Sequence, residues 1–175
     1  MKPTICNPVN INDRYQAPMR SRESADPAVV LYKDEYYLFA SHGSGYWVSP
    51  DLAHWEFIEV DLGKQPEFEL YAPGPVVAGD RLYITHSQGG GILYSDTPRD
   101  PDSWIYGGRP YGWNDPSLFV DDDGSLYCYE GLSPDFPIRV AKLDPQDLSK
   151  VLEGPVDIYQ SDRDTRGYER PGDHN

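Results

Sequence analysis

The chain has 175 residues, 38% of them hydrophobic and 13% aromatic, enough to bury one core of single-domain size. Its 15 basic and 29 acidic residues give a formal net charge of −14, which argues against nucleic acid and anionic membranes as partners and leaves neutral or cationic ligands. Fourteen Tyr, four Trp, 16 Gly and 17 Pro describe an all-β chain rich in turns, and no apolar run reaches membrane-spanning length.

Residues 1–25 read as an irregular lead-in whose Asp13, Arg14, Arg22 and Glu23 are surface charges, with a supporting role beside Asp26 open to Arg22 and Glu23. No signal peptide precedes the folded part, so the chain is either cytoplasmic or secreted with its leader removed. Cys6 and Cys128 do not form a disulfide framework; both are expected as thiols, with Cys128 packing inside a strand.

A first unit spans residues 26–61, with strands expected at 28–32, 35–41, 45–49 and 54–60 and a turn at Lys33-Asp34. Trp55 is expected to pack between sheets, while Trp47 is either core or a stacking platform for a ligand. A second unit spans 71–111, with a turn at Gly79-Asp80 and a hairpin at Gly89-Gly90-Gly91 that no helix follows, so it is not a phosphate loop. Ser95-Asp96 echoes Ser49-Pro50-Asp51, and Trp104 repeats Trp55. A third unit spans 113–159, with later strands near 125–130, 137–143 and 154–159; a polar tail, 160–175, ends the chain. The acidic run Asp121-Asp122-Asp123-Gly124 lacks calcium-loop spacing and reads as a hairpin turn.

The units share a phrase: a residue-Pro pair, an apolar strand, a turn, then an aromatic strand. The pairs are Asp26-Pro27, Ala72-Pro73 and Asp115-Pro116. Eleven positions separate Asp26 from Tyr37 and Ala72 from Tyr83; twelve separate Asp115 from Tyr127, the excess falling in the longer third turn. Short-strand repeats of this period mark β-propeller blades, each of which must stack on a neighbour to bury its faces. Pro suits the first residue of a strand, where a ladder donor is dispensable. The informative residue is the one before it. Because Ala72 fills that slot in the second copy, the strand does not need a carboxylate there. Asp26 and Asp115 therefore either cap local turns, as Asp-Pro often does, or carry chemistry in a common axial funnel.

Propellers close with four to eight blades, so three units are expected to be the N-terminal portion of a larger ring. Two carboxylates in an aromatic, acidic funnel suit glycoside hydrolysis, in which one group protonates the leaving oxygen and another activates water or attacks carbon. Trp47, Tyr71 and Trp113 flank the pairs as candidate sugar-binding aromatics. No metal or cofactor is called for.

The strings ADPAVVLYKDEYYLFAS, GYWVSPDLAHWEFI, YAPGPVV and NDPSLFVDDDGSLYCYEG resemble, in order, the first three blades of glycoside hydrolase family 43, a five-bladed propeller. The resemblance implies an inverting, exo-acting enzyme on arabinose- or xylose-containing oligosaccharides or polysaccharides, of the α-L-arabinofuranosidase or β-xylosidase type. By position it makes Asp26 the general base and Asp115 the residue that orients the acid and modulates its pKa. The family's general acid is a Glu in a Glu-Gly motif followed by a Lys-x-x-Gly-x-Tyr-Tyr strand. Glu153-Gly154-Pro155 lacks that strand and reads as structural, and Glu169 lacks the context. The chain alone is thus expected to be inactive, completed by the missing blades. Two alternatives stand beside this reading: a non-catalytic carbohydrate-binding propeller, and a retaining fructosidase-like enzyme. Fructosidases place their Asn-Asp-Pro string near the N-terminus, whereas Asn114-Asp115-Pro116 lies in the third unit.

Overall fold

In the computed structural model the residue-Pro pairs open the first strand of every sheet. The structure describes residues 11, 25–41, 43–68, 70–87, 91–109, 114–131, 136–162 and 164–166. The first sheet holds β1 (Ala28–Tyr32), β2 (Glu35–Phe39), β3 (Gly45–Ser49) and β4 (Glu56–Glu59), paired antiparallel in chain order. The second holds β5 (Gly74–Ala78), β6 (Arg81–Thr85), β7 (Ile92–Ser95) and β8 (Ile105–Tyr106), in the same order. The third holds β9 (Ser117–Val120), β10 (Leu126–Glu130), β11 (Ile138–Asp144) and β12 (Asp147–Tyr159). Three up-and-down four-stranded sheets are three blades. Among the described residues they form an arc that does not close.

Local chemistry sets the first hairpins. Lys33 and Asp34 both take positive φ (47° and 66°), the requirement of a two-residue turn matched to strand twist. In the third blade the Gly124 amide donates to the Asp121 carbonyl, and Gly124 supplies φ 81°. That is the longer turn the repeat spacing anticipated, and the Asp121 and Asp123 carboxylates accept backbone amides within it.

Side-chain alternation along β6 stacks the blades in sequence. Leu82 and Ile84 face the first blade, where Tyr32, Tyr37, Phe39, Tyr46, Phe68 and Trp104 form an aromatic core. Tyr83 faces the third blade and joins Ile92, Leu118, Leu126, Cys128, Leu143 and Leu148 in a more aliphatic one. Polar links cross the boundary between the first and second blades: the Tyr32 hydroxyl lies within hydrogen-bond reach of the carbonyls of Asp80 and Asp96, and Arg99 reaches back to Glu35 and Glu56. Cys128 packs as expected, and burial pushes its thiol pKa up to about 12.

The structure corrects three strand boundaries, the first being β2, which ends at Phe39 rather than at residue 41. Strand β4 begins at Glu56, two residues late, because the Asp51 carboxylate takes the amides of Ala53 and His54 and holds them in a turn. Strand β12 begins at Asp147 rather than near 154, its pairing with β11 interrupted by register shifts that hide the strand period. Trp55 lies on the face of the first blade turned away from the second, against Trp47, Leu38 and Ala40, and so is not buried between two described blades. Trp104, its repeat, is the one wedged between blades, with its indole NH donating to the Tyr46 hydroxyl at 3.2 Å.

Candidate active site

The three slot residues share one backbone state. Asp26, Ala72 and Asp115 have φ of 54°, 49° and 46°, each in the left-handed region and each followed by Pro. L-residues enter this region at a cost of roughly 1–2 kcal/mol, less for Asp than for Ala. Since Ala72 also adopts it, the conformation belongs to the fold and does not depend on a carboxylate. A second feature recurs. The amides of Ser41, Ser87 and Gly131, just past the second strand of each blade, donate to the carbonyls of Ala25, Tyr71 and Asn114, just before each slot. The second-strand end thus clamps the slot in every copy.

Hydrogen bonds then carry the rim from blade to blade. The Ser41 hydroxyl donates to Asp26 Oδ2 at 2.8 Å, and its oxygen accepts the Ala72 amide at 2.8 Å. From the same stretch, Tyr71 receives the Ser87 amide, and the Ser87 hydroxyl donates to Asp115 Oδ1. Below the rim Thr85 donates to the Pro116 carbonyl, and a Cβ placed on Gly74 would lie 3.8 Å from Ser117 Cα. The starts of β5 and β9 are therefore side by side. Asp26 and Asp115 stand at the same end of the inner strands β1 and β9, one on either side of β5, joined by one arc of hydrogen bonds. Asp26 is exposed and Asp115 half-buried, so both carboxylates can meet solvent.

The aromatic candidates separate. Tyr71 adjoins the middle slot and is 45% exposed, in reach of a ligand on the rim. Trp47 is 4% exposed, edge-on to Phe57 and packed with Leu38 and Ala40. Every residue of β3 is buried, which leaves Trp47 no open ring face for stacking. Trp113 lies outside the described residues, as do Cys6, Asp13, Arg14, Arg22, Glu23, Gly89, Gly90 and Glu169. Glu153 sits in β12, and Gly154 serves the backbone there: a Cβ would meet the Val140 carbonyl oxygen at 2.9 Å.

Two features escaped the sequence reading. Ser41 and Ser87 each lie fifteen positions after their slots, so the repeat register alone could have found them. The second is Glu130, a fully buried carboxylate whose Oε1 accepts from Arg139 Nε at 2.6 Å; the two residues face each other across the β10–β11 ladder. Among the described residues no group of three or more His, Cys, Asp or Glu could hold a metal ion.

The sequence matches the family model described as glycosyl hydrolases family 43 over residues 15–173. No sequence match is found among curated proteins. Solved structures do match. An α-L-arabinofuranosidase from Clostridium thermocellum ATCC 27405 is 28% identical with TM-score 0.58, over 78% of this chain and 57% of that one. An exo-1,5-α-L-arabinanase from a bovine ruminal metagenomic library is 22% identical with TM-score 0.57, over 83% and 58%. A xylan β-1,4-xylosidase from Bacillus halodurans C-125 is 21% identical with TM-score 0.58, over 85% and 34%. The chain thus spans little more than half of the first of these proteins and a third of the last.

Proposed function

Because the chain belongs to glycosyl hydrolase family 43, we propose that it forms the first three blades of an inverting, exo-acting glycosidase that removes arabinose or xylose units from glycans. In this reading Asp26 is the general base and Asp115 orients the acid and modulates its protonation. The observation that carries the reading is the shared slot: two carboxylates at one end of the inner strands, where the fold itself accepts Ala72.

The chemistry follows from two carboxylates of this kind plus an acid. Asp26 accepts a proton from a water molecule as its oxygen forms a bond to the anomeric carbon. The bond to the leaving oxygen breaks, and a general acid protonates that oxygen. Attack opposite to departure inverts the anomeric centre. The acid is a Glu that we assign to blades outside these 175 residues, and on that assignment the chain alone is inactive. Tyr71 supplies an aromatic face beside the middle slot.

The test is a pair of assays on 4-nitrophenyl α-L-arabinofuranoside and β-D-xyloside. The expected result is no turnover by the 175-residue chain, turnover once the remaining blades are joined to it, and proton NMR showing the first-formed sugar with inverted configuration. Retention of configuration would favour the fructosidase-like alternative. Binding of arabino-oligosaccharide without hydrolysis by the completed ring would favour a carbohydrate-binding propeller.

A further inference from the structure

A serine hydroxyl has one proton to donate. At Ser41 the oxygen is 2.8 Å from both Asp26 Oδ2 and the Ala72 amide nitrogen. The amide can only donate, so it occupies a lone pair and leaves the hydroxyl proton to Asp26. Ser41 therefore stands between slots one and two, one a carboxylate and the other a backbone donor. Ser87 occupies the equivalent place one blade later, between slots two and three. There the slot of its own blade carries only the Ala72 methyl, and the hydroxyl donates across the blade boundary to Asp115. Each hydroxyl meets one carboxylate.

The third copy lacks this hydroxyl for a backbone reason. Gly131 has φ 145°, and a Cβ there would approach the Pro137 carbonyl oxygen to 2.4 Å. The three slots and three clamps thus offer two serine hydroxyls and two carboxylates. Ser41 is buried, which fixes its rotamer against the packed end of β2.

We propose that Ser41 and Ser87 are positioning residues, each holding one carboxylate of the pair in a single rotamer, and that a side chain without an acceptor in the middle slot keeps the two hydroxyls from being shared. A third carboxylate, at position 72, would lie relative to Ser87 as Asp26 lies relative to Ser41, and would draw the Ser87 proton away from Asp115. The proposal rests on the reading of Asp26 and Asp115 as the chemical carboxylates, but its first test does not use activity.

That test measures the three-bond couplings from Cγ to the backbone nitrogen and carbonyl carbon of Asp26 and Asp115 in the isotope-labelled 175-residue chain. These couplings report χ1. The parent should give single-rotamer values at both sites. Ser41→Ala should average the Asp26 couplings and leave Asp115 unchanged; Ser87→Ala should do the reverse, with Ser87→Thr restoring single-rotamer values. Ala72→Asp should average Asp115 alone. Unchanged couplings in a folded Ser87→Ala or Ser41→Ala chain overturn the proposal. If buried Ser41→Ala loses its dispersed spectrum, the half-buried Ser87 decides.

In the completed ring both Ala variants should lose on the order of ten- to a hundredfold in kcat with KM within about twofold, since misplacing a reacting group acts on the chemical step. Asp26→Ala is run beside them. If that variant keeps full turnover while the couplings behave as described, the base assignment falls and the positioning role stands. If Asp26→Ala is inactive and both serine variants turn over normally, the positioning role falls alone.

Discussion

The rim and the interface between the first two blades use the same repeat in opposite ways. Across the blade faces and the hairpins beside them, side chains repeat with their geometry: Trp55 packs on the face of the first blade turned away from the second, Trp104 on the face of the second turned toward the first, and the buried Ser49 and Ser95 each accept the amide two residues on. At the rim only the backbone repeats. Three left-handed slots carry Asp, Ala and Asp, and three clamps carry Ser, Ser and Gly. Positions that agree in both side chain and geometry report packing. Positions that agree in geometry and differ in side chain with no backbone reason, as the three slots do and the Gly131 clamp does not, are free of the architecture, and that is where chemistry can be placed.

The largest effect should come from making the first slot like the second. In the completed ring Asp26→Ala removes the proposed base, a contribution of about 10²- to 10⁴-fold in kcat, while unfolding of the chain shifts little because Ala72 shows the slot tolerates Ala. Asp115→Ala should cost less, about ten- to a hundredfold, and should change the shape of the pH–rate profile. A fall in stability that matches the loss of turnover would break the comparison, since it would place both residues in the architecture.

Trp104→Ala is the mirror experiment. Its indole is buried among Phe39, Tyr46 and Phe68, and truncation should destabilise the chain by about 3–5 kcal/mol, read as a lower denaturant midpoint. In chains that remain folded the Asp26 and Asp115 side-chain resonances should stay in place. If they move first, rim and interface are not separable.

Much of this was legible before any coordinates. The residue-Pro pairs, the eleven-residue step to the aromatic strand and the extra residue before Gly124 announce blades, because periodicity and turn chemistry are local properties. What was hidden depends on neighbours. Trp47 reads as a strand aromatic on either face, and only the packing of Trp55 and Phe57 around it makes it core. Strand β12 lost its early half because bulges break the alternation that marks a strand. Nor does any sequence rule give a positive φ to a residue before Pro. The serines were readable, yet one hydroxyl in FAS or THS carries no signal until the slot it faces is known.

The middle slot offers a smaller and sharper test. Ala72 carries the left-handed strain with no carboxylate function, so Ala72→Gly should raise stability by up to about 1 kcal/mol. The same relief at Asp26 should be smaller, because Asp enters this region more readily and the Ser41 bond is lost with it. Equal gains at both positions would mean that the carboxylates are indifferent to their surroundings.

The smallest effect lies at the edge of the aromatic interface, where Arg99 binds Glu35 and Glu56. The hydrogen bonds from Arg99, aided by its charge and partly opposed by desolvation, hold the Glu35 carboxyl below its usual value. A carboxylate whose folded pKa is depressed contributes stability above its unfolded pKa and loses it as pH falls through the folded value. Acid should therefore weaken this link below about pH 4.5, the ordinary Glu value, and Arg99→Ala should flatten that part of the stability curve. Both partners are partly solvated, so the change should stay under about 1 kcal/mol. Guanidinium midpoints between pH 3 and 6 would read it, and a variant with the parent's slope would remove Glu35 from the interface ledger. The contrast with the rim then rests on burial: here charge sits at a wet edge and adds little, whereas the Ser41 bond to Asp26 is anchored on a buried hydroxyl and fixes where a carboxylate points.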